Sequence, residues 1–183
     1  MWQFDEGRNT ISQLPDGESE MMFGLSLSAI TLIHVVISLI AIVAGLIVMF
    51  GMLGPYHAGG LTGLFLLFTI LTSVTGFMFP FNGVTPGIVV GILSCILLAI
   101  ACFALYGMKV SGLWRGIYAV TALLSLYLNV FVLVTQSFLK IPPLHAIAPG
   151  NPPAGPTFAV VQGVVLVFFI VMIIQAWRRY KPA

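Results

Sequence analysis

The residue best equipped for chemistry in this sequence is His34, which stands inside a long apolar run. An imidazole changes charge near neutral pH, donates or accepts hydrogen bonds, and ligates metals and haem. His34 belongs to a stripe, Thr31, His34, Ser38, Ala41 and Gly45, whose spacing of three and four keeps it on one helix face. A later run carries a similar stripe, Thr121, Ser125, Asn129 and Gln136. A third offers Thr69, Ser73 and Gly76, with Thr72 and Thr75 beside them, and Gln162 stands near the start of the last run. If His34, Ser73, Asn129, Gln136 and Gln162 converge, they form a polar pocket for a quinone headgroup, a lipid headgroup or another small ligand. The same groups also suit plain interhelical hydrogen bonds, which average about 0.6 kcal/mol in membranes.

A haem has stricter needs, because its axial ligands must sit at matched depth. His57 and His145 both fall in connecting segments, so neither stands opposite His34. A single-chain bis-histidine haem is therefore disfavoured, while a Met partner or a histidine from another subunit stays open. Cys95 and Cys102 lie seven residues apart in one run. On a helix that places their Cα atoms about 10 Å apart, beyond the roughly 7 Å limit for a disulfide. They read as small packing residues, and no Cys/His metal spacing occurs. No Asp, Glu, Lys or Arg lies inside an apolar run, where proton relays, voltage sensors and ion-coupled transporters place ionisable groups.

The elements that hold these residues must be membrane helices. Of 183 residues, 60% are hydrophobic and 7% are charged, against about 25% charged in soluble domains. A soluble chain of this length cannot bury so much apolar surface. The expected fold is an all-α polytopic bundle with five spans, near 23–53, 61–79, 87–106, 117–139 and 157–177, each long enough to cross the bilayer. Helices are also what lipid demands, since it leaves no backbone group unpaired. The breaks between spans carry turn residues: Gly54-Pro55, Pro80 with Asn82 and Gly83, and Gly107 to Gly116. Residues 1–21 form a polar tail and 178–183 a basic one. The acidic start does not resemble a cleavable signal peptide.

Charge orients the spans. The loop at 107–116 and the C-terminal tail hold Lys109, Arg115, Arg178, Arg179 and Lys181, whereas the opposite side holds only Arg8 and Lys140. The positive-inside rule then places the C-terminus in the cytoplasm and the N-terminus outside. Tyr56, Tyr106, Trp114, Tyr118, Trp177 and Tyr180 fall near that inner interface, where aromatic belts form. All five acids, Asp5, Glu6, Asp16, Glu18 and Glu20, lie in the outer tail. No basic stripe suits a nucleic acid.

Three segments carry a resemblance: HVVISLIAIVAG around His34, TSVTGFMFPF from Thr72 to Phe81, and LYLNVFVLVTQSFLKIPPLHAIAP from Leu126 to Pro149. Over residues 25–180 the chain resembles a group of short bacterial inner-membrane proteins described only as hypothetical. The resemblance implies a multi-pass protein of the bacterial inner membrane and no activity; the polar tail is an extension relative to that group. Three functions follow as expectations. The first is a non-catalytic accessory or scaffold subunit of a larger, for instance bioenergetic, membrane complex. Its contacts would come from the small-residue stripes, the acidic tail and the Pro-rich loop 140–156. The second is a quinone-, lipid- or haem-binding protein built on His34, and the third a passive transporter of a neutral solute.

Overall fold

A computed structural model of the chain describes residues 21–22, 25–54, 59–79 and 85–181. The acidic tail through Glu20, His57 with Tyr56, and the turn from Pro80 to Val84 lie outside the described residues. The described structure is helical apart from a two-residue antiparallel pair, β1 (Met21–Met22) with β2 (Leu25–Ser26). There follow α1 (Leu27–Gly51), α2 (Gly59–Gly76), α3 (Pro86–Cys102), α4 (Trp114–Lys140), α5 (Pro142–Ile147) and α6 (Pro156–Arg179). A π-helical turn, Phe103–Gly107, extends α3. Five of these helices, α1, α2, extended α3, α4 and α6, are long and apolar enough to cross a membrane. Their only charged side chains, Arg115, Lys140, Arg178 and Arg179, stand at helix ends.

Local chemistry sets the helix limits. Ser26 caps α1, its hydroxyl accepting the Ala29 N–H at 3.3 Å, so this helix begins four residues later than the apolar run. Thr85 caps α3 in the same way, with Pro86 at the first helical position, where its missing N–H costs nothing. Between the π turn and α4 the chain turns through Lys109, Val110 and Gly112, all at positive φ. Such a conformation is rare for a β-branched residue. Val110 is held there by its N–H on Ala104 O at 2.9 Å and by burial of its side chain.

α4 is the central helix. It packs against α1, α3 and α6, while α1 pairs with α2 and α2 with α3. Its inward face, Ala119, Ala122, Leu123 and Leu126, has no exposed surface. Small residues let neighbours close in, as is usual where lipid offers no hydrophobic drive for helix association. A Cβ at Gly45 would lie 2.6 Å from Leu126 Cδ1 and 2.8 Å from the Phe65 ring, so α1 meets α4 and α2 at this glycine. A Cβ at Gly116 would lie 2.5 Å from Trp177, which lays its ring on the start of α4. Outward faces are apolar instead: Leu32 and Val164 are each 65% exposed. That pattern suits lipid contact, as it does in membrane bundles.

One belt residue changes place. Tyr118 is not at a lipid-facing interface but 1% exposed, with Tyr180 tilted against it at 5.8 Å. It shares the face of Thr121, Ala122 and Ser125, which turns into the bundle. Tyr106 and Trp177 are exposed. Burial also raises the pKa of the Tyr180 hydroxyl, keeping it neutral well past physiological pH.

Candidate functional site

Polar side chains inside the bundle first meet their own helix. Thr69 donates to Phe65 O, Ser73 to Thr69 O, Thr121 to Ile117 O and Ser125 to Thr121 O, at 2.7–3.1 Å. Ser38 donates to His34 O at 2.6 Å. Such bonds to the carbonyl one turn back satisfy a buried hydroxyl without any ligand. Most of the two hydroxyl stripes is therefore self-satisfied.

His34 makes a contact between helices. It is half-buried seven residues into α1, about 10 Å along the helix axis. Its Nδ1 lies 2.8 Å from Thr75 Oγ1 on α2. The Thr75 hydroxyl already donates to Leu71 O at 2.8 Å and leans toward Thr72 O at 3.2 Å. With its proton on Leu71 O the oxygen accepts, which assigns His34 the tautomer that donates through Nδ1–H and keeps a lone pair on Nε2. Among the described residues Nε2 has no hydrogen-bond partner. Phe79 stands edge-on to the imidazole at 5.2 Å, and a Cβ at Gly76 would lie 3.7 Å from Cε1.

Gln162 makes the second such contact, on the opposite side of α4. Its Nε2 donates to Phe131 O at 3.1 Å and to Thr135 Oγ1 at 3.2 Å, joining α6 to α4. Reversing the amide would aim its oxygen at a carbonyl, so the orientation is fixed by its partners. The side chain is 9% exposed, and Oε1 has no partner among the described residues. Aromatic pairs flank it along the seam: Phe138 with Phe158 at 5.4 Å and Tyr127 with Phe169 at 5.6 Å.

No hydrogen bond joins any two of His34, Ser73, Asn129, Gln136 and Gln162. Ser73 is buried and bonded to its own helix. Asn129 is half-buried with its Nδ2 unpartnered among the described residues. Gln136 lies on an exposed face near the end of α4. Two interhelical contacts are made instead, α1 to α2 at His34 and α4 to α6 at Gln162, with α4 packed against both α1 and α6. Thr75 and Thr135, rather than Ser73 and Asn129, receive the interhelical bonds. Helical register held the clue for Thr75: Gly45 meets Phe65, and eleven residues separate His34 from Gly45 as eleven separate Phe65 from Gly76. In an antiparallel pair, equal steps from a shared contact meet again.

Cys95 and Cys102 are free thiols, as their spacing requires. Among the described residues no group of three His, Cys, Asp or Glu side chains is placed to hold a metal ion. His145 is on the short α5, its Nδ1 3.3 Å from Phe138 O.

The α1–α2 bond is testable. Thr75→Val and His34→Ala are each expected to lower stability by about 0.6 kcal/mol from the lost bond, with some added packing loss for the imidazole. In a double-mutant cycle read by chemical unfolding in detergent, the two effects should be coupled rather than additive.

The chain matches no known protein-family model, no curated protein sequence and no solved structure.

Proposed function

We propose that this chain is a non-catalytic accessory or scaffold subunit of a larger membrane complex, for instance a bioenergetic one. It would sit in the bacterial inner membrane with its N-terminus outside and its C-terminus in the cytoplasm. The observation that carries this reading is the separation of the polar groups into two helix-pairing seams. Ionisable groups at membrane depth mark proton relays and ion pathways, and here charged side chains on the spans stand only at their ends. The acidic tail and the Pro-rich loop 140–156 would meet partner subunits on the outer side. Extraction of native membranes in mild detergent tests the proposal: the protein should migrate in an assembly larger than itself, with co-purifying membrane proteins. A monodisperse lone protomer would overturn it.

The lone pair on His34 Nε2 favours a second reading, a quinone-, lipid- or haem-binding protein. Nε2 is an acceptor at bilayer depth, fit to receive a quinol or lipid hydroxyl. An optical spectrum and an organic extract of the purified protein should then reveal a chromophore or quinone that is lost in His34→Ala. Their absence would remove this reading.

A further inference from the structure

Beyond α4 the chain turns at Ile141, forms the short α5, and returns toward the helix it left. The Ala154 N–H closes the returning turn on Pro149 O at 3.3 Å, and Gly150 takes a φ of 116° that favours glycine. This path leaves an open cleft of about 580 Å³ between the end of α4 and the loop. It is lined by Gln136, Leu139, Lys140, His145, Gly150 and Asn151. We propose that this cleft binds the phosphate of a phospholipid headgroup, with Lys140 as its counter-charge and the Gln136 and Asn151 amides as further donors. The inference stands apart from the subunit proposal, since neither the presence of partners nor the His34 seam enters it.

Three observations support a phosphate. Lys140 brings a positive charge to the lining. The lining adds the side-chain amides of Gln136 and Asn151, each able to donate to an anion. Two of the last four α4 carbonyls are engaged: Ser137 O accepts the Ile141 N–H at 3.0 Å, and Phe138 O lies 3.3 Å from His145 Nδ1.

A graded surface favours a lipid over free phosphate. Leu133, Gln136 and Lys140 follow at spacings of three and four on one face of α4, with Leu133 37% exposed. Toward the helix end this face runs from apolar side chain to amide to ammonium. A phospholipid runs in the same order, from acyl chain through ester to phosphate. Ile141 and Ile147, both exposed, add apolar surface beside the cleft.

Native mass spectrometry of the full chain in detergent tests the proposal, with dioleoyl phosphatidylglycerol, dioleoylglycerol and inorganic phosphate as probes. Phosphatidylglycerol adducts should persist where dioleoylglycerol adducts do not. Lys140→Gln should weaken them about tenfold, the loss of one charge-assisted hydrogen bond. Lys109→Gln, at the other end of the bundle, should leave them unchanged. Equal binding of dioleoylglycerol, equal losses in the two lysine variants, or displacement of the lipid by an equal concentration of inorganic phosphate would each overturn it. The last result would mark a site for free phosphate.

Discussion

Replacing Gly45 by leucine is expected to unfold the α1–α2 hairpin from the rest of the bundle. A Cβ here already falls 2.6 Å from Leu126 Cδ1 and 2.8 Å from two carbons of the Phe65 ring. Neither neighbour has room to retreat, since both are fully buried. Overpacking a close-packed interior costs typically 1–3 kcal/mol, and a whole isobutyl group at a three-helix junction belongs at or above the top of that range. Gly45→Ala should cost less, and adding Phe65→Leu to it should recover part of the loss. Gly163 on α6 is the control, because nothing lies within 4 Å of a Cβ there. Thermal unfolding in detergent should rank the variants Gly163→Leu, Gly45→Ala and Gly45→Leu in order of increasing damage. Equal stability of Gly45→Leu and Gly163→Leu would contradict the packing at this junction.

Tyr118→Ala should be comparably damaging for the opposite reason. Tyr118 is the largest side chain with almost no exposure, packed among α4, Tyr180 and the start of α2. Truncating a buried aromatic removes its contacts and leaves a cavity, costing about 3–5 kcal/mol. The ring rather than the hydroxyl should dominate. The hydroxyl faces Thr62, and a single hydrogen bond contributes a net of about 1 kcal/mol, so Tyr118→Phe should change stability by about 1 kcal/mol or less. The same unfolding measurement separates the two. A Tyr118→Phe variant as unstable as Tyr118→Ala would show that the hydroxyl holds this end of the bundle.

The spans were legible because lipid makes them so. Long apolar runs bounded by Gly54, Pro86 and the glycines of 107–116 have few alternatives to helices, and the described helices fall within a few residues of those runs. Less legible were features that depend on side-chain chemistry or helical phase. Ser26 starts α1 four residues into its run and so brings His34 nearer the helix end. Two prolines start α5 inside a loop that composition alone reads as irregular. Tyr118 resembles a belt residue by its position in the chain, but its phase with Ala122 and Ser125 turns it into the core. The polar site was least legible of all. Residue types single out His34 and Gln162 but not their interhelical partners, Thr75 and Thr135, which the packing of the helices selects. Hydroxyls that bond their own helix also look, in sequence, the same as hydroxyls free to bind a ligand.

Five crossings would put the loop before α4 and the loop after it on opposite sides of the membrane. With Cys95 and Cys102 replaced by alanine, a single cysteine can be introduced at Ala146 on α5 or at Ser111 before α4, both exposed positions. A membrane-impermeant maleimide applied to intact cells, with their outer layer opened and the inner membrane sealed, should label Ala146→Cys. It should reach Ser111→Cys only after the inner membrane is broken. Labelling of both from the same side, or of Ser111→Cys alone in intact cells, would contradict the orientation on which the outer loop and the acidic tail are assigned to one face.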